Sequence, residues 1–550
     1  MIGDLVYFGH VGRHVFNELL QIGNDLEFLW REGVSTYLLY TMASGILVVI
    51  AGIFWFVFSR KPIVETTNKV IVFIAFLLLS AIGIRGSFGE KPLNVVDAFI
   101  SDKSIAGQLA LNGLFTAFHS SVNTEKTEYR VYKMEELKAI LSPLRIDPSS
   151  EHPFYGRTAS SKSNKESYFV EPKFPFGKRK LNFVVIMLES FGSFYVDAFS
   201  GKGFGATSNL DMLAQRGLVF PDFYATGSRS IEAIQSLLLS LPALKGLPTL
   251  GTGLESLKVT GGVELLSKGG YETFFSQSSK RGSFHLNSVA RALGFDRYSG
   301  SEDYPRLLDY PRQKDPLFGW DYEMFMFTLE RLNESRLPFF SFLFTGTTHT
   351  PFPLPPYLLK KEGHGDDNET GYLNTIYYTD KALGEFIRRA EKQPWFKDTV
   401  FFITADHTFP SYRKFGFLDS HKIPLVIYAP FLIAPGRIEK PATHLDILPT
   451  ILDLSGIEFQ ISTAGKSLFL AGERDFAFIA GKYDNPALVM DGAFLRHSGR
   501  VRLESGNTAN NGKIKEELAA ILERTLLGFN QVLYENLLAD RWFDKKNSFH

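Results

Sequence analysis

Four short, unbroken apolar runs punctuate the chain from residue 182 onward: Asn182 to Leu188 (NFVVIML), Phe339 to Phe344 (FFSFLF), Val400 to Ile403 (VFFI) and Pro424 to Tyr428 (PLVIY). Runs of this length without polar alternation fit strands buried on both faces, as in a parallel sheet. Between them lie stretches with helical apolar spacing, such as Ile231 to Leu239 and Thr379 to Ala390. Strands alternating with helices predict an α/β domain with a mostly parallel central sheet flanked by helices. Ligands of such sheets gather beyond the carboxyl ends of the strands. The residues to inspect are therefore Glu189 and Ser190, Thr345 to His349, and Asp406 with His407.

Two other apolar runs lie near the start. Thr36 to Phe58 is uncharged over 23 residues, enough for a bilayer core that takes about 20, with Tyr37, Tyr40, Trp55 and Phe56 suited to its interfaces. Val70 to Ile84 spans only about 22 Å as a helix and needs Thr66 to Asn68 and a snorkelling Lys69 to cross. The loop between them holds Arg60 and Lys61, which the positive-inside rule places in the cytoplasm. The pattern predicts an external segment 1–35, two transmembrane helices within 36–85, a connecting arm 86–180, a catalytic domain 181–475 and a C-terminal extension 476–550. The chain is thus expected in the cytoplasmic membrane as a multi-pass protein with its catalytic domain outside. No signal peptide precedes the first span.

Composition removes some alternatives. Lys plus Arg and Asp plus Glu are both 59, a formal net charge of zero, so the basic face a nucleic-acid partner requires is not supported. Cysteine is absent. That is compatible with an oxidising compartment and excludes thiolate metal ligands and a cysteine nucleophile.

Two carboxylates, an imidazole and a hydroxyl at neighbouring strand ends suit a divalent cation. Singly, each has a structural explanation: an Asp-His pair is common on surfaces, and Glu189 could cap the next helix. Ser230, opening the helical stretch in ATGSRSIEAIQ, could likewise be only a cap, with Glu232 nearby. Their joint placement at one rim makes the functional reading.

At these residues the sequence resembles the sulfatase-like family of the alkaline-phosphatase superfamily that includes lipoteichoic acid synthases and phosphoglycerol transferases. The resemblance runs from about Arg85 to Ile457. It rests on IMLESFG (186–192), SNLDMLAQRGLVFPDFYATGSRS (208–230), ALGFD (292–296), TTHTPF (347–352), YYTDKALGEFI (377–387), ITADH (403–407), IPLVIYAP (423–430) and THLDILPTILDLSGI (443–457). It implies a sulfatase-like domain over 181–475, with Glu189, Asp406 and His407 as metal ligands and Ser230 as both nucleophile and ligand. Ser228 and Thr226 compete for that role. His349 matches a histidine at the substrate phosphate, both catalytic and substrate-binding. His285 and Asn287 fall where relatives contact substrate, although the Trp and Arg of the lipoteichoic acid synthase pattern are missing here. His444 and Asp446 read as structural or as a second metal pair, and Asp380 as a buried capping group.

The implied cofactor is one divalent ion, Mn2+ first, with Mg2+ or Zn2+ as alternatives. The implied partners are a phosphatidylglycerol-like donor in the lipid bilayer and a glycan or polyol acceptor. A phosphoethanolamine transferase is the nearest rival, and the zero cysteine count weighs against it. An arylsulfatase reading would need the Pro and Arg of a C/S-x-P-x-R motif, which Ser230-Ile-Glu-Ala-Ile lacks. An inactive envelope scaffold is at odds with the retained Glu189, Ser230, Asp406 and His407.

Overall fold

The computed structural model describes residues 129–154 and 180–542, except 258, 260, 312–315, 337, 410–411, 458–460, 471–473 and 483. It also describes 93–99, 104–111, 115–116 and helical positions 46, 49–50, 52–53 and 73–79. The chain divides into two compact units, residues 1–124 with 251–257, and residues 125–250 with 258–550. Both expected membrane spans fall largely outside the described residues. Among the described residues no helix is long and apolar enough to cross a membrane. Residues 73–79 are helical with exposed side chains. In the same unit a short turn, Val95–Ala98, is capped by Asn94, whose side chain accepts the Val95 N–H at 2.7 Å.

The second unit carries the candidate site. Its strands are β1 (Asn182–Leu188), β2 (Leu218–Val219), β3 (Phe223–Tyr224), β4 (Glu272–Gln277), β5 (Arg297–Ser299), β6 (Phe339–Phe344), β7 (Thr399–Ala405), β8 (Leu425–Tyr428), β9 (Gly436–Arg437), β10 (Ala442–Thr443), β11 (Phe476–Ile479), β12 (Ala487–Met490), β13 (Ala493–His497) and β14 (Arg502–Asn507). The main sheet has the order β5-β4-β6-β1-β7-β8-β2-β9. From β5 to β7 all pairings are parallel, and β8 runs against both β7 and β2. Every residue of β1, β6 and β7 is buried, which is why these runs show no polar alternation.

The helices that matter here are α1 (Met134–Leu141), α2 (Ser208–Arg216), α3 (Ser230–Leu239), α4 (Asp321–Glu334), α5 (Glu369–Ala390), α6 (Ile447–Ser455) and α7 (Glu516–Leu538). Helix α5 packs against α4 and α2. Asp380 on α5 accepts from the backbone N–H groups of Asn209 (2.9 Å) and Leu210 (2.8 Å) and from the Asn209 side chain (2.8 Å). It therefore satisfies free donors in the first turn of α2 from a neighbouring helix. Burial pushes its carboxyl up to about 6.

β11 to β14 form a separate antiparallel sheet. Ala477, Ile479, Ala487, Val489 and Phe494 from it close a core with Tyr224 and Leu418. Helix α7 packs on β12, β13 and α1. Its Gln531 accepts from the Val131 and Tyr132 N–H groups, both at 2.9 Å. Residues 129–154, expected in the arm, and 476–538, expected as an extension, thus belong to the same compact unit as the main sheet.

Candidate active site

Strand register brings the site together. Pairing of Leu188 with Ala405 and of Met187 with Phe344 leaves three central strands ending level. The ladder continues one step further: Thr345 N–H donates to Met187 O (3.1 Å) and Asp406 N–H to Leu188 O (3.2 Å). Glu189 is held at both ends of its peptide, its N–H donating to Thr345 Oγ1 at 2.8 Å and its carbonyl accepting from Thr348 Oγ1.

Glu189, Asp406 and His407 each offer a ligand atom, and these atoms lie within 4.8 Å of one another. Asp406 Oδ1 accepts two backbone N–H groups, from Ser190 (2.6 Å) and His407 (2.7 Å). Asp406 Oδ2 is buried and has no hydrogen-bond partner among the described residues. Ser190 Oγ donates to Glu189 Oε1 at 2.7 Å, and Ser190 takes a left-handed backbone with φ of 59°. That conformation costs a non-glycine residue about 1 kcal/mol or more and is typical of functional sites. Burial first, and the neighbouring Asp406 charge second, hold the Glu189 carboxyl well above its ordinary value. Two buried carboxylates facing each other with one oxygen orphaned are stable as anions only beside a positive charge.

Ser230 opens α3. Its Oγ lies 3.4 Å from Glu189 Oε2, while His407 Nε2 is 3.3 Å from Asp406 Oδ2 and 4.0 Å from Glu189 Oε1. Neither of the other two hydroxyls of the turn makes a hydrogen bond to Glu189 among the described residues, and Thr226 Oγ1 is buried without a partner there. Thr226 is fully buried, its N–H donating to His444 Nδ1 at 3.2 Å. Ser228 is exposed, and its N–H donates to Glu232 Oε2 at 3.0 Å. Glu232 also takes the Lys482 N–H at 2.8 Å. A β-carbon at Gly227 would collide with its carboxylate, so this turn closes only with glycine there.

His349 stands behind this cluster. Its ring stacks on Phe318 with centroids 3.6 Å apart, and its Nδ1 lies 2.5 Å from Thr350 O, which places the hydrogen on Nδ1 and leaves the Nε2 lone pair available,. Burial lowers its pKa. The loop carrying it is clamped by Asp321, at the start of α4, whose Oδ1 accepts from Gly346 N (2.8 Å), Thr347 N (3.2 Å) and Ser278 Oγ (2.7 Å). His285 and Asn287 do not join the carboxylate cluster. Their segment meets Phe318, the ring on which His349 stacks, through Phe284 at 5.8 Å.

Asp321, Phe318, Thr345, Thr348 and Glu232 went unassigned in the sequence. Thr345 and Thr348 lie in a strand-end window already marked for inspection. Asp321 has no such signal, since only the fold brings α4 under β6. His444 spans from Thr226 N to Ala405 O (2.8 Å), and Asp446 caps Thr443 N and Lys466 N, both at 2.8 Å. Both pairs of contacts are structural.

A parallel sheet delivering two carboxylates, an imidazole and a serine to one rim defines an alkaline-phosphatase-like α/β enzyme. The chain belongs to the Sulfatase family, whose model matches residues 181–457. It is 25% identical over 414 residues to lipoteichoic acid synthase 1 of Bacillus subtilis, covering 70% of this chain and 62% of that one. It is 27% identical over 340 residues to the lipoteichoic acid synthase of Staphylococcus saprophyticus, covering 55% and 48%. The matched stretch thus spans about half to three-fifths of these relatives. Its fold is similar to that of an alkaline phosphatase superfamily protein from Vibrio parahaemolyticus (TM-score 0.61, 21% identity, covering 76% of this chain and 99% of that one). It is also similar to lipoteichoic acid synthase LtaP from Listeria monocytogenes (TM-score 0.59, 18% identity, covering 74% and 99%).

Proposed function

We propose that this chain is a membrane-anchored phosphoglycerol-type transferase acting outside the cytoplasmic membrane. The observation that carries the reading is Ser230 Oγ standing 3.4 Å from Glu189 at a helix N-terminus, within the Glu189, Asp406 and His407 cluster. The orphaned Asp406 Oδ2 and the crowded carboxylates fit one divalent cation, held by Glu189, Asp406, His407 and Ser230, with Mn2+ first, as the family resemblance implies, and Mg2+ or Zn2+ as alternatives. When bound, such a cation lowers the hydroxyl pKa and offsets phosphoryl charge.

Ser230 attacks the phosphodiester of a phosphatidylglycerol-like donor. The Oγ–P bond forms as the bond to diacylglycerol breaks; Ser230 loses a proton and the departing oxygen gains one. A glycan or polyol hydroxyl then displaces Ser230, losing its proton as Ser230 recovers one. A covalent nucleophile splits the transfer into two easier displacements. The first N–H groups of α3 favour the phosphate. His349 Nε2 is the free lone pair on the rim and the proton carrier for the leaving and entering oxygens. His285 and Asn287 flank the wall that the headgroup meets.

The test is mass spectrometry of the purified protein incubated with phosphatidylglycerol and Mn2+. A glycerophosphoryl adduct on the tryptic peptide beginning at Ser230 is expected. An adduct on Thr226 or Ser228 overturns the nucleophile, and none with any phospholipid overturns the donor.

A further inference from the structure

Ser190 touches both carboxylates of the site. Its N–H donates to Asp406 Oδ1 at 2.6 Å and its Oγ to Glu189 Oε1 at 2.7 Å. Its carbonyl accepts from the hydroxyl of Tyr372 on α5. Every hydrogen-bonding group of this buried serine is therefore committed, to partners just after β7, just after β1 and on a helix.

Tyr372 is itself firmly held. It is fully buried, with its ring 5.0 Å from Tyr195, 5.5 Å from Phe352 and 5.2 Å from Phe409. Its N–H donates to Asn368 O at 3.0 Å, where α5 begins. The hydroxyl that meets Ser190 is thus carried by a 22-residue helix.

The φ of 59° at Ser190 is a conformation that glycine takes freely and other residues resist. A strained residue persists only where its surroundings over-determine it, and the three hydrogen bonds do so here. Glycine would shed the steric penalty and lose the hydroxyl with it. That loss falls on Glu189. Its Oε1 is engaged by Ser190, and its Oε2 lies 3.4 Å from Ser230 Oγ. The terminal torsion of a glutamate is broad, so without the Ser190 hydroxyl the carboxylate loses the bond that fixes its rotation. At Asp406 the Ser190 N–H occupies Oδ1 and leaves Oδ2 as the open atom.

We propose that Ser190 is a positioning residue that aims both carboxylates at the cation site, and that Tyr372 locks it in the left-handed turn this requires. The inference rests on the metal-site part of the reading above.

The experiment is calorimetric titration of the full-length protein with Mn2+ alone, alongside unfolding midpoints in EDTA, for the parent, Ser190→Gly and Ser190→Ala. Both variants lose the hydroxyl, but only glycine also sheds the steric penalty. Mn2+ affinity is expected to fall about tenfold in both, while the metal-free midpoint of Ser190→Gly lies above that of Ser190→Ala. A role in stability alone makes affinity follow the midpoint, so Ser190→Gly binding like the parent overturns the proposal. If Ser190→Ala fails to fold, Tyr372→Phe replaces it; this keeps the ring and drops the bond to Ser190 O. Weakened affinity is again expected, and unchanged affinity removes the lock. A parent that does not bind Mn2+ overturns the metal reading and this inference together. A parent that binds, matched by the folded variants, overturns this inference alone.

Discussion

Asp406 Oδ2 is the atom on which the metal reading turns, because Oδ1 is fully used by two N–H groups and Oδ2 by none. Asp406→Asn replaces it with a neutral amide while keeping the shape. Mn2+ affinity measured by calorimetry is expected to fall on the order of a hundredfold or more, given that even outer-sphere changes cost 10–100-fold. Unchanged affinity removes Asp406 from the ligand set. His444 gives a pH prediction. Burial lowers its pKa to about 4, while an unfolded histidine titrates near 6.5. Between these values the unfolded chain binds the extra proton, so stability is full above pH 6.5 and falls as pH drops toward 4. The loss amounts to about 3 kcal/mol at 1.36 kcal/mol per unit. Asp380 and Glu189, with raised values, slope stability the other way, so the reading is the difference between parent and His444→Asn in urea unfolding across pH 4–7, which should be largest at pH 7 and shrink toward pH 4. A difference that does not change with pH rejects the assignment.

At the scale of elements, the strand-end loops are positioned by partners from other helices. Asp321 fixes the 345–349 loop from α4, and its Oδ2 takes Thr379 Oγ1 from α5. Asp321→Ala leaves several buried donors unmet, so a destabilisation of about 3 kcal/mol is expected. Transfer should fall more than Mn2+ affinity, since the released loop carries His349 and none of Glu189, Asp406 or His407. Equal loss of both assigns Asp321 to the metal cluster instead. This dependence was invisible in the chain, where Asp321 reads as one acidic residue at a helix start. The strand ends themselves were legible, because a run such as NFVVIML marks both a buried strand and the position just after it.

Across the molecule, β11–β14 and α7 complete the unit that holds the site. Truncation after residue 475 removes all five buried residues clustered with Tyr224 and Leu418, as well as the Gln531 anchor of residues 131–132. The truncated chain is expected to be insoluble or to lack a cooperative unfolding transition by circular dichroism. A soluble, Mn2+-binding 125–475 fragment contradicts this. The sequence reading gave 476–550 only as a C-terminal extension, because no local pattern in that stretch reports its packing against Tyr224 and Leu418.

The sequence alone determined the parallel α/β core and the strand ends that carry Glu189, Asp406 and His407, because burial on both faces and strand-end position are local properties of the chain; for the hydroxyl it offered Ser230, Ser228 and Thr226. Tertiary structure decided which hydroxyl of the 226–230 turn meets Glu189, what holds the His349 loop, and that the C-terminal sheet closes a core with Tyr224 and Leu418. Those depend on register and on contacts between residues far apart in the chain, 250 positions for Glu232 with Lys482, and no local pattern encodes them.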